Sequence, residues 1–157
     1  MRCEKTPTHK PLTELTIVSI LLVEHRTLRE LMEAMSQWLV AGISPQAQRE
    51  RAAVLSVALD AHARREEEEL FKSLRARSVT ARHLVEMMEL VHDEVRDLFD
   101  EIQTDANPTS KLWTVLEMTE AHFVREEQEV FPLAEQLLAR EELARQEITI
   151  AEKGAQA

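Results

Sequence analysis

The chain has 157 residues, 44 % of them apolar and 31 % charged, with a formal net charge of −10 and only two Gly and five Pro. The acidic balance excludes a surface built for nucleic acid or anionic lipid, because both reward clustered Lys and Arg. The single Cys, Cys3, leaves no internal disulfide and fits a reducing compartment. No stretch approaches the ~20 apolar residues that span a bilayer. The run Ile17 to Val23 is short and bracketed by Glu14 and Glu24, and no small-residue cleavage site follows it, so no signal peptide is expected and the protein is read as cytoplasmic. Long periodic apolar stretches with so few breakers predict one all-helical domain.

Residues 1–11 hold two prolines and read as a loose tail carrying Cys3 and His9. A first helix is predicted from about Leu12 to Val40, with apolar residues at 15, 18, 21, 22, 28, 32, 35 and 39 and His25 within their stripe. Gly42, Ser44 and Pro45 then read as a helix stop, an N-cap and a first-turn proline. The second helix runs to about Arg77, with Val54, Leu55, Ala58, Leu59, His62, Glu66 and Leu70 inward. Ser78 or Thr80 caps a third helix to about Thr104, and a turn at 105–110 leads into a fourth that starts near Thr109. Pro132 should kink or interrupt that last helix, since it removes a backbone donor and crowds the preceding turn. Residues 12–140 thus predict an antiparallel up-down four-helix bundle, and 141–157 a helical extension or frayed tail.

The chain repeats itself. His62 to Phe71 and His122 to Phe131 agree at six of ten positions, each with a Glu four residues after the His. The odd helices repeat too, His25 to Glu33 matching His92 to Asp100 in pattern. A duplicated helical hairpin follows, with a pseudo-two-fold axis along the bundle. On a helix, residues four apart share a face. His25, His92 and His122 lie about 13 residues into their helices and His62 about 17, so at ~1.5 Å per residue all four meet at mid-bundle. Glu66 and Glu126 enter one turn away. A lone inward His is usually a core residue with one hydrogen bond. Four imidazoles and two carboxylates buried together would cost several kcal/mol each without compensation, and metal ions supply it. Imidazole and carboxylate donors suit iron or manganese, and zinc less exclusively. Six donors are too many for one tetrahedral ion and suit two: two His for each, with Glu66 and Glu126 bridging.

Inward His on helices 1 and 3, His-x-x-x-Glu on helices 2 and 4, and Val130-Phe131-Pro132 after the last resemble the hemerythrin-like HHE cation-binding domain over roughly residues 12–140. The resemblance implies a non-haem pair of iron ions, oxo- or hydroxo-bridged, with manganese or zinc as alternatives, ligated by His25, His62, Glu66, His92, His122 and Glu126. It implies binding of, or reaction with, O2, NO or peroxide in oxidative or nitrosative stress or in iron handling. A sensor or binding module without turnover is the alternative. The chain departs from oxygen-carrying hemerythrins in having Arg96 where they have a second helix-3 His, and Glu127 where they have an Asp. Its donor set is closer to bacterial di-iron proteins that repair iron–sulfur centres, whose cysteine-containing N-terminal domain has no counterpart here beyond Cys3. Arg29 and Arg96, one turn past their histidines, are expected either to hydrogen-bond the bridging carboxylates or to bend outward to surface acids. Glu67 and Glu127 are expected to face neighbouring helices or water, and His83 to be an ordinary outer residue.

Overall fold

The computed structural model describes residues 15–144. The expected tail at 1–11, with Cys3 and His9, and everything beyond 144 lie outside the described residues. Helix α1 is Ile17–Val40. It starts five residues after the expected Leu12, because Thr16 and Ser19 cap it reciprocally: the Thr16 hydroxyl accepts from the Ser19 amide at 3.1 Å, and the Ser19 hydroxyl from the Thr16 amide at 2.9 Å. Gly42 takes φ 71°, the left-handed position that ends the helix. Ser44 then accepts from the Ala47 amide at 3.2 Å and Pro45 opens the next helix.

Helix α2 is α-helical over Pro45–Arg65, passes through a π-helical turn at Glu66–Phe71, and resumes over Lys72–Arg75. Helix α3 is Val79–Thr104, capped by Ser78, whose hydroxyl accepts from the Ala81 amide at 3.0 Å. The Asp105 side chain accepts from the Asn107 amide at 2.8 Å and shapes the turn that follows. Helix α4 repeats the build of α2: Thr109–Arg125, a π-helical turn at Glu126–Val130, then Phe131–Leu137. It stops there rather than running on past Arg140. Leu138 turns extended, a short helix α5 follows at Arg140–Leu143, and Leu138 and Leu143 both return to the core.

The two π-helical turns correct the expectation for Pro132. The irregularity is present, yet the same turn occurs in α2, where the residue matching Pro132 is Lys72. There the Lys72 amide donates to the Glu67 carbonyl, the wide i−5 bond of a π turn. Proline is therefore not the cause. It fits because it lies in the first turn after the widening and is exposed.

Sequential helices pack as neighbours and α4 closes on α1. Arg49 near the start of α2 donates to the Asp105 carbonyl beyond the end of α3 at 2.9 Å, which sets that pair antiparallel. Thr109 at the start of α4 donates to Gln48 at the start of α2 at 2.9 Å, so the diagonal pair is parallel. The core falls into two apolar blocks. One holds Leu21, Leu70, Phe71, Val85, Val130 and Phe131; the other holds Met32, Leu55, Phe99, Leu112, Val115 and Phe123. In α1, α2 and α3 a histidine separates the two blocks in sequence, and in α4 the change falls just after His122, between Phe123 and Val130, so the polar layer lies between them. Val54 does not join the core: it is 69 % exposed, because the inward stripe runs through Ala52, Leu55 and Leu59 and Val54 lies a third of a turn off it. Leu15 and Leu22 are likewise exposed at the margin of α1.

Candidate metal centre

His25, His62, His92 and His122 project from the middles of α1 to α4, and Glu66 and Glu126 stand where the π-helical turns begin. All six are buried, with both carboxylates and His25 at 0 % exposure. The His62 Nε2 lies 3.1 Å from Glu66 Oε1 and the His122 Nε2 lies 2.9 Å from Glu126 Oε1. Contacts also run between helices: His25 Nε2 is 3.3 Å from Glu126 Oε2, and His92 Nε2 is 3.3 Å from Glu66 Oε2. Each carboxylate thus faces histidines of both halves of the repeat.

Two groups of four donors result. One is His25, His62, Glu66 and Glu126; the other is Glu66, His92, His122 and Glu126. Within each, the donor atoms all lie within 4.8 Å of one another. The groups share both carboxylates. His25 Nε2, His62 Nε2 and all four oxygens of Glu66 and Glu126 are buried without a hydrogen-bond partner. Buried polar atoms are normally partnered, and six orphaned donors turned toward one point fit a cation, or two, better than any protein hydrogen bond.

The outer faces of the rings are held from behind. His25 Nδ1 lies 2.8 Å from Glu127, His62 Nδ1 2.8 Å from Glu24, and His92 Nδ1 2.8 Å from Glu67. Each of these carboxylates is gripped by an arginine: Glu127 by Arg29 at 2.7 Å, Glu24 by Arg65 at 2.9 Å, and Glu67 by Arg96 at 3.1 Å. A carboxylate accepting from Nδ1–H leaves Nε2 as the inward atom. Arg29 and Arg96 therefore do not reach Glu66 or Glu126. Arg29 binds Glu120 and Glu127, and Arg96 binds Asp60, Asp93 and Glu67. The central carboxylates lie behind the ring of imidazoles, and nearer acids intercept both guanidinium groups first.

Glu24, Glu67 and Glu127 are the residues that sequence reasoning missed. Glu67 and Glu127 lie five residues after their own histidines, about 140° round the helix, and so read as off the site. They serve the histidine of the next helix instead. Their occurrence at the same place in both repeats was the available signal. His83 is exposed, as an outer residue should be.

Burial disfavours the His25 and His62 imidazoliums, but the surrounding carboxylates outweigh it. Glu126 and Glu66 push His25 up to about 9, and Glu24 and Glu66 push His62 up to about 10. His92 is raised by Glu66 against the same burial cost. Glu66 runs the other way: burial would raise it, yet His25, His62 and His92 hold it well below the carboxylate range. In the protein alone, protons on His25, His62 and His92 serve as counter-charges of the Glu66 carboxylate.

A four-helix bundle with such a centre defines a cation-binding helical protein. The chain belongs to the hemerythrin HHE cation-binding domain family, whose model matches residues 16–134. No curated protein and no solved structure matches it. Among the described residues no helix is long and apolar enough to cross a membrane.

Proposed function

We propose that this chain is a non-haem di-iron protein that binds or reacts with O2, NO or peroxide. Its place would be in oxidative or nitrosative stress or in iron handling in the cytoplasm. The observation that carries the proposal is the overlap of two four-donor groups through Glu66 and Glu126. His25 and His62 would hold one ion, His92 and His122 the other, with both carboxylates shared. A redox-capable pair held by these residues would supply electron transfer to a small ligand. The protein's own part is to fix the Nε2 of His25, His62 and His92 inward through Glu127, Glu24 and Glu67, to exclude bulk water with the apolar blocks above and below, and to release imidazole protons when cations enter.

The family match supports cation binding, and the mixed imidazole and carboxylate donors favour iron, with manganese or zinc as the competing ions. The test is elemental analysis of the purified chain with an absorption spectrum before and after O2 and NO. The expected result is about two irons per chain and a ligand-dependent spectrum. Glu66→Ala or Glu126→Ala should lose most of the metal, and near-stoichiometric iron in either variant would refute a shared carboxylate. A sensor without turnover is the second reading. It is favoured by the six orphaned polar atoms, which tie the stability of the bundle to the ions. Strong stabilisation by iron with no consumption of peroxide, O2 or NO would select it.

A further inference from the structure

The two halves of the repeat differ behind one imidazole. Three imidazoles have a carboxylate behind Nδ1, and the fourth does not: His122 Nδ1 is buried with no hydrogen-bond partner. By the repeat, the residue that should serve it is Val91, which stands where Glu24 stands behind His62. Beside it, Thr119 replaces Leu59 of the other half, and its hydroxyl is also buried and without a hydrogen-bond partner. A third difference makes room. Phe123 lies flat on His25, with ring centres 4.0 Å apart, whereas its match in α2 is Ala63. Where the small side chain stands, a cavity of about 350 Å³ opens among α2, α3 and α4.

Ala63, Val91, Val95 and Phe99 give this cavity an apolar wall, and Thr119 and His122 line it as well. The volume is at the lower end of small-molecule pockets and far above the room that one water needs. On the metal reading above, on which this step rests, His122 gives its Nε2 lone pair to the ion, so Nδ1 carries a hydrogen and donates. The Thr119 hydroxyl is a second donor. Arg64 and Arg96, the cations at the rim, are both committed to Asp60 at 2.7 and 2.8 Å. An anionic head would therefore enter without a charge partner, at a cost a neutral oxygen avoids.

We propose that this cavity is a binding site for a small neutral molecule with one acceptor oxygen, such as a carbonyl, on a short apolar body. The oxygen accepts from Thr119 Oγ1 and His122 Nδ1, and the body lies along Val91, Val95 and Phe99. The ligand sits behind the histidine, on the side away from the metal, and couples to the centre through the ring.

The test is a ligand-observed NMR titration of the full chain with 2-hexanone, with metal content measured on every sample. Wild type should bind saturably. Thr119→Val, nearly the same shape without the hydroxyl, should bind about tenfold more weakly. Val91→Glu should abolish binding, because by the repeat it restores the missing carboxylate behind His122 Nδ1 and fills the place of the ligand oxygen. Neither variant removes a donor, so both should hold at least the wild-type metal content, with Val91→Glu if anything binding metal more tightly through the carboxylate it adds behind His122. No saturable binding to wild type, or equal binding by wild type and both variants, overturns the proposal. Probe binding with the expected variant pattern in a protein that holds no metal would support the cavity and refute the di-metal reading alone.

Discussion

Glu127 accepts from His25 on one side and from Arg29 on the other. Burial would raise its carboxyl, but Arg29 and His25 hold it low. Glu127→Gln keeps the shape and removes the charge, so the His25 ring loses its fixed tautomer and part of its basicity. Metal affinity should fall by about 10- to 100-fold with helicity unchanged, measured by competition with a coloured chelator. An affinity equal to wild type would remove Glu127 from any role behind the ring. The six central residues were legible because each shares its helix face with apolar neighbours at regular spacing. Glu24, Glu67 and Glu127 were not, because each reaches a histidine on another helix, and that pairing depends on which helices are neighbours.

At the scale of the element, the N-caps at Ser44 and Ser78 and the chain stop at Gly42 follow from local chemistry and lie where the sequence places them. The start of α1 does not, because Thr16 and Ser19 form a reciprocal cap that competes with Pro11 and Thr13 as the helix start. The π-helical turns were also hidden. Hydrophobic spacing does not distinguish a widened turn from a regular one when Leu70 and Phe71, or Val130 and Phe131, are apolar either way. Only Pro132 hinted at trouble, and its twin Lys72 shows that the hint pointed to the wrong cause. Pro132→Ala should therefore keep the turn. It regains a donor for the Glu127 carbonyl and adds freedom to the unfolded chain, two small and opposed effects. Stability should change by less than about 1 kcal/mol, read by thermal or urea unfolding. A loss several times larger, with metal content reduced, would make the proline a working part of the site.

In the whole molecule, a charged layer is clamped between two apolar blocks, and its charge balance sets the response to pH. In chelator-stripped protein, His25 and His62 sit at about 9 and about 10 against an ordinary 6.5. Their contribution to stability is complete below pH 6.5 and is lost as pH rises through those values. Glu66, held low, contributes above its ordinary 4.5 and loses that contribution as the solution is made more acidic. Stripped protein should thus melt highest between about pH 4.5 and 6.5, where both contributions are complete, and lower on either side. Stabilisation by metal should run the other way across the neutral range, growing with pH as imidazole protons leave. Parallel melting curves for stripped and loaded protein would show that the ions do not replace those protons.

Anomalous diffraction from crystals of the iron-loaded chain reads the centre most directly. Two peaks are expected between the apolar blocks, one against His25 and His62 and the other against His92 and His122, both in contact with Glu66 and Glu126. A single peak, or ions bound to the acidic surface with the four imidazoles unligated, would contradict a shared two-ion centre.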